Sequence, residues 1–447
     1  MAPSLPNDPP PHTGSLPTFG EATRLWARIG LINFGGPSAQ IALMHRLLVD
    51  ERRWIGDAQF LHALNFCMLL PGPEAQQLAT YVGWLLHGTR GGLVAGILFV
   101  LPGFLVILLL SALYALYHEV PLLQAVFFGV KAAVLAVVVE AVLRIGRRIL
   151  ASRTLIGIAV AAFVAIFFLH VPFPLIVIGA GLLGWLGGRV APTAFRLGGK
   201  AAGPVTEPSR PPSLGWALEI AAICLALWWL PVLAAWATGA TTLTAIGLFF
   251  SKLAVVTFGG AYAVLAYMTQ AAVQTYGWLG AGEMLDGLGL AETTPGPLIL
   301  VTSFVGFQAA FHQPGSLPPL LAGTLGATLT VWVTFVPCFL WIFMGAPFIE
   351  RLRAAAGLNA ALSAITAAVV GVIANLAVWF GLHVLFERFE PIRLGPLAFD
   401  LPVAASLDPW ALALAAVAML ALLRLHLGLV PVLAGSALLG VLIRTLV

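Results

Sequence analysis

The residues of this chain whose types and spacing could do chemistry are short breaks in apolar segments, together with a few charges set among apolar neighbours. Phe34-Gly35-Gly36 interrupts a helix-like stretch ahead of Ser38, and Phe258-Gly259-Gly260 repeats the pattern. Pro71-Gly72-Pro73, followed by Glu74, Gln76 and Gln77, recurs as Pro295-Gly296-Pro297, preceded by Glu292. A helix broken inside hydrocarbon exposes backbone groups that lipid cannot satisfy, so each break must face protein or water. The half-helix that resumes presents unpaired N–H groups and the positive end of a dipole. Such ends suit the binding of an anion. Gly35, Gly36, Ser38, Pro71, Gly72, Pro73, Gln76, Gln77, Gly259, Gly260, Pro295, Gly296 and Pro297 are therefore candidate substrate-binding residues. Gln76, Gln77, Thr80, Thr302 and Ser303 supply neutral hydrogen-bonding groups nearby.

The charges fall into two groups. Lys131 sits inside "FFGVKAAVLAVVVEAVLRIG", where a deep charge costs at least ~2.5 kcal/mol and faces a cavity or a partner. Lys252 precedes the second glycine pair by six residues, and Arg46 follows the first on the resumed half-helix. These three are candidate anion-binding cations. Glu74 and Glu292 flank the Pro-Gly-Pro breaks and are candidates for proton coupling or for simple helix caps. Glu140 and Arg144 form an i, i+4 ion pair, and Arg52 and Arg53 read as topology signals. His45, His62, His87 and His170 lack metal-ligand spacing, so no metal or cofactor is expected. Cys67, Cys224 and Cys338 are isolated and read as small core residues.

The elements that must position these residues follow from composition. The 447 residues are 60% hydrophobic and 9% charged, against about 25% charged in soluble proteins. Uncharged runs such as Gly91 to Tyr117 and Pro319 to Ile349 exceed the roughly 20 residues that span a bilayer. The expected fold is an all-α integral membrane protein. A net charge of +4 does not call for nucleic acid; membrane lipid is the surrounding medium, and a homodimer is left open.

Internal repetition organises the chain. Phe34 and Phe258, Trp54 and Trp278, and Pro71 and Pro295 share one offset of 224 (258 − 34, 278 − 54, 295 − 71). "GVKAAVLAVV" from Gly129 likewise resembles "GLNAALSAIT" from Gly357. The expected organisation is a disordered cytoplasmic tail over 1–20, a first repeat over 21–195, a linker over 196–213, an extra transmembrane helix over 214–237 and a second repeat over 240–447. One extra crossing between repeats inverts the second relative to the first. Basic residues support this topology: Arg144, Arg147, Arg148 and Arg153 cluster on one side, and the loops "HEVP" and "HVPFP" hold no Lys or Arg. The loop holding Arg388 and Arg393 fits least well. Matched breaks in two inverted halves point to a transporter's binding site. Glycine pairs that merely let helices pack closely are the plain alternative.

The FGG elements, "RRWIGDAQFLHALNFCMLLPGPEAQQLATYVG" and "FGGAYAVLAYM…TTPGPLILVTSFVGF" resemble the chromate ion transporter family in its long, two-domain form, over essentially residues 21–447. The resemblance implies a multi-pass protein of the bacterial inner membrane, with about a dozen helical segments and inverted halves, exporting chromate and conferring chromate resistance. A carrier for sulfate or another divalent oxyanion is the alternative, since the two anions share shape and charge. An intramembrane enzyme is disfavoured: no phosphate loop and no H-E-x-x-H motif occurs. Gly36→Ala and Gly260→Ala are expected to impair transport, and Gly96→Ala, in an unbroken helix, to be nearly silent.

Overall fold

The computed structural model describes residues 17–195, 214–258, 261–345, 356–394 and 397–446. Most of the expected tail, the expected linker, and Gly259 with Gly260 lie outside the described residues. The chain is an all-α integral membrane protein, with one two-stranded hairpin among the described residues, β1 (Phe389–Leu394) against β2 (Leu397–Pro402). Among the described residues, seven helices are long and apolar enough to cross a membrane.

The first half begins with α1 (Phe19–Ile32), whose start is fixed by a capping box between Thr18 and Glu21. After Asn33, Phe34 and Gly35 come α2 (Gly36–His45), a π turn (Arg46–Glu51) and α3 (Asp57–Cys67). The chain breaks again at Pro71-Gly72-Pro73 before α4 (Glu74–Tyr117), α5 (Pro121–Ile149), α6 (Arg153–Phe167) and α7 (Phe173–Val190). After α8 (Leu214–Ala237), the second half runs through α9 (Thr241–Val256), α10 (Ala261–Gln270), another π turn (Ala271–Thr275) and α11 (Ala281–Thr293). Then follow α12 (Val301–His312), α13 (Pro319–Gly345), α14 (Ala356–Leu385), the β hairpin, α15 (Pro409–Leu423) and α16 (Leu429–Leu446). The same sequence of elements occurs twice, down to the π turn that follows α2 and α10.

Helix α4 is not one straight rod. At His87 and Gly88 (φ 63°) the backbone leaves helical geometry, and the arms 74–86 and 89–117 fold back on each other. A Cβ on Gly83 would strike the Gly91 carbonyl and the Ala95 methyl, and one on Gly91 would strike the Gly83 carbonyl. Backbones this close tolerate only glycine. Helices α12 and α13 repeat the contact through Gly306 and Gly326. Gly96 lies in the same seam, against the Thr80 hydroxyl and the Phe339 ring. The expectation that Gly96→Ala is silent is therefore corrected: an added methyl has no room.

The two halves interleave. Helix α5 packs on α15 and α16, while α14 packs on α6 and α7, and α5 and α14 lie against each other. Gly129 of α5 meets the Ser436 carbonyl of α16, and Gly184 of α7 meets the Ala360 carbonyl of α14. Each half thus supplies a helix that the other half's terminal pair encloses.

Candidate functional site

The breaks meet crosswise, in two pairs that each join one half to the other. The Gly72 N–H, in the first Pro-Gly-Pro, donates to the Thr257 carbonyl at the second glycine break (2.9 Å). The Gly296 N–H, in the second Pro-Gly-Pro, donates to the Asn33 carbonyl at the first (3.0 Å). Backbone groups freed by one half are satisfied by the other, which is how irregular backbone persists at membrane depth. Gly72 and Gly296 have φ of 120° and 103°, conformations that L side chains rarely adopt. A Cβ on Gly72 would press on the Gln77 amide (2.8 Å) and on Cys338 Sγ (2.9 Å); one on Gly296 would press on the Leu300 side chain and the Gly103 backbone. Gly103 and Cys338 each follow a proline inside a crossing helix, Pro102 in α4 and Pro337 in α13.

Buried amides tie the crossing together. Gln40 Nε2 donates to the Gly296 carbonyl (2.6 Å) and to the Asn33 carbonyl (3.2 Å), Asn33 Nδ2 to the Phe99 carbonyl (3.4 Å), and Gln77 Nε2 to the Pro71 carbonyl (2.7 Å). Gln76 Nε2 donates to Thr80 Oγ1 (3.1 Å). Thr302 and Ser303 donate to helix carbonyls of their own segment. The neutral donors named from sequence are thus spent inside the protein. Asn33, Gln40 and Thr257 were not singled out, although Asn33 and Gln40 bracket the first break as polar residues in an apolar stretch.

The first break remains open. Gly35 (φ 91°) and Gly36 (φ 76°) carry the chain into α2, whose N-terminus has no side-chain cap. Gly35, Ser38 and Ala39 are exposed. Across the molecule Thr257 and the run Val264 to Thr269 are buried.

The candidate charges separate. Lys131 Nζ pairs with Asp286 Oδ1 of α11 (3.1 Å), and Asp286 Oδ2 accepts from the Tyr114 hydroxyl (2.9 Å). Its charge is answered across the two halves by an aspartate that sequence reasoning passed over in "EMLDGLGL". Arg46 lies in the π turn, exposed, 3.6 Å from Glu51, and about 15 Å along the helix from Gly36 at 1.5 Å per residue. Lys252 is exposed on α9, with its ammonium 5.8 Å from the centre of the Tyr267 ring. Glu292 is buried and accepts from the Tyr262 hydroxyl (3.1 Å). Glu74 opens α4 directly behind Pro73. The Glu140–Arg144 pair forms at 3.8 Å.

The model of the chromate transporter family matches residues 21–185 and 244–441. The chain belongs to the chromate transporter family. Among its relatives, the chromate transport protein of Pseudomonas aeruginosa is 34% identical over 87% of each chain. That of Cupriavidus metallidurans is 29% identical over 82% of this chain and 84% of its own, and the probable chromate transport protein of Synechococcus elongatus is 28% identical over 84% and 88%. No solved structure matches. This family member is thus a multi-pass membrane protein whose helix breaks pair across its two halves.

Proposed function

We propose that this protein is a secondary transporter, not an enzyme, that exports chromate across the bacterial inner membrane and confers chromate resistance. The observation that carries the reading is the crosswise pairing of the four breaks, the arrangement in which broken-helix carriers hold their substrate. Family membership narrows the substrate to chromate, and sulfate remains the competing dianion. Residues 21–195 and 240–447 act as two inverted repeats joined by α8, with the loop after α5 in the cytoplasm and the β hairpin outside. The free N–H groups after Gly35 and Gly36, with the Ser38 hydroxyl, face the anion. Gly259 and Gly260 are the corresponding positions of the other half. Arg46 attracts the anion at the cytoplasmic mouth, and Lys252 flanks the second break. Glu74 and Glu292 are the groups placed to couple a proton.

Export needs no pump. A dianion leaving a cell that is negative inside gains about 2.3 kcal/mol per charge for each 100 mV. The test is uptake of labelled chromate into everted membrane vesicles, with sulfate as competitor and with the potential and the proton gradient collapsed separately. Uptake that vanishes with the potential and is weakly inhibited by sulfate supports chromate export driven by voltage. No uptake above that of vesicles lacking the protein rejects it.

A further inference from the structure

The two helix hairpins that approach the crossing differ in what covers them. Helix α10 packs on α14, and α11 packs on α5 and α14; among the described residues, α2 and α3 make no more than marginal contact with either helix. The half of α5 that would close on the first hairpin is its C-terminal part, where Leu143, Arg144, Arg147 and Arg148 are exposed. Exposed arginines in the last two turns of a crossing helix do not face hydrocarbon; they reach water.

Arg144 and Arg148 are one turn apart on the same face of α5. Arg144 is within electrostatic range of Glu292 and Tyr262, next to the second Pro-Gly-Pro, and Arg148 is within range of Glu74, next to the first. Among the described residues, Arg144 pairs with Glu140 at 3.8 Å, half exposed, a contact of little strength. Both guanidiniums are therefore available to another anion. Lys131, by contrast, is already held by Asp286 at 3.1 Å.

We propose that Arg144 and Arg148 are the cations that bind the tetrahedral dianion in a cleft between α5 and the first hairpin, before it reaches the break at Gly35 and Gly36. Guanidinium forks match the paired oxygens of such an anion, and two of them one turn apart balance its two charges. The proposal rests on the anion-export reading above and assigns its entry site.

The test uses the full chain in everted vesicles, where the cytoplasmic face is outward. Arg144→Gln and Arg148→Gln are expected to raise KM for chromate about tenfold or more, the worth of a charge-assisted hydrogen bond, with kcat less affected. Arg144→Lys recovers part of the loss, and Arg153→Gln leaves KM unchanged. A second arm places Leu143→Cys in the cleft and follows its reaction with a membrane-impermeant maleimide; the native cysteines are all buried. Sulfate, which does not oxidise thiols, should slow that reaction in the parent background and fail to do so beside Arg144→Gln. Unchanged KM in both arginine variants with parent-like insertion, or a Leu143→Cys thiol that does not react, overturns the site. Absence of chromate uptake by the parent protein overturns the export reading instead, and sulfate protection of the thiol then still reports whether the arginines bind a dianion.

Discussion

The two helix hairpins, α2 with α3 and α10 with α11, are built alike and situated differently. Each has a glycine break, a short helix, a π turn and a second helix ending in Pro-Gly-Pro. Yet α11 is locked to α5 and α4 by Lys131, Asp286 and Tyr114, and its Leu285 is buried where the matching Leu61 of α3 is exposed. At the offset of 224, Asp286 corresponds to His62; Lys131 matches Asn359 in the "GVKAAVLAVV" alignment. The same scaffold therefore carries the Lys131–Asp286 ion pair at one hairpin, and His62 with Asn359 at the equivalent positions of the other. In a carrier built from inverted halves, such asymmetry is what opens one side while the other stays shut.

The largest expected effect comes from disturbing the crossing itself. Gly103→Ala places a methyl against the Pro295 carbonyl, where neither backbone can move without parting the breaks. Transport should be abolished and thermal stability lowered; parent-like uptake would show that the crossing yields. Next comes the Lys131–Asp286 pair. Breaking a buried pair by removing one partner costs about 3–5 kcal/mol, toward the low end here because Lys131 is a quarter exposed. Lys131→Gln and Asp286→Asn should each loosen α11, seen as faster amide exchange in residues 281–293, and the double variant should be less damaged than the sum of the two. Additive losses would mean that the two residues act separately.

Smaller effects test the open hairpin. Gly36→Ala meets no atom within 4 Å, so its cost is that of a Cβ at φ 76°, about 1–2 kcal/mol. Transport should fall several-fold at normal expression, while Gly20→Ala, which also meets nothing and has an ordinary φ, leaves it intact. Arg46→Gln removes an exposed pair at 3.6 Å and should change chromate KM less than about twofold. A large loss would move Arg46 from the mouth to the site.

Much of this plan was legible in the sequence because breaks and charges are costly in a membrane and so stand out. Both Pro-Gly-Pro landmarks lie at the crossing contacts, and Lys131, a charge among apolar neighbours, meets a partner. Its partner was not legible, since Asp286 is far away in the chain and only the fold brings α11 to α5. Nor was the fold-back at Gly88: the glycines that permit it, Gly83, Gly91 and Gly96, are indistinguishable by type from ordinary packing glycines. The hairpin of Phe389–Leu394 with Leu397–Pro402 was missed because its residues were weighed only as topology charges. Local rules see costs, and partners come from topology.

The most direct test compares equivalent positions on the two hairpins. Ala42 of α2 is exposed and Ala266 of α10 is 3% exposed, and the two are related by the offset of 224 (266 − 42). Ala42→Cys and Ala266→Cys would be reacted with a membrane-impermeant maleimide, without substrate, in everted and in right-side-out vesicles. Fast labelling of Ala42→Cys in everted vesicles and almost none of Ala266→Cys from either side is the predicted result. Equal rates at the two positions, each from its own side, would contradict a cleft that opens at the first hairpin alone.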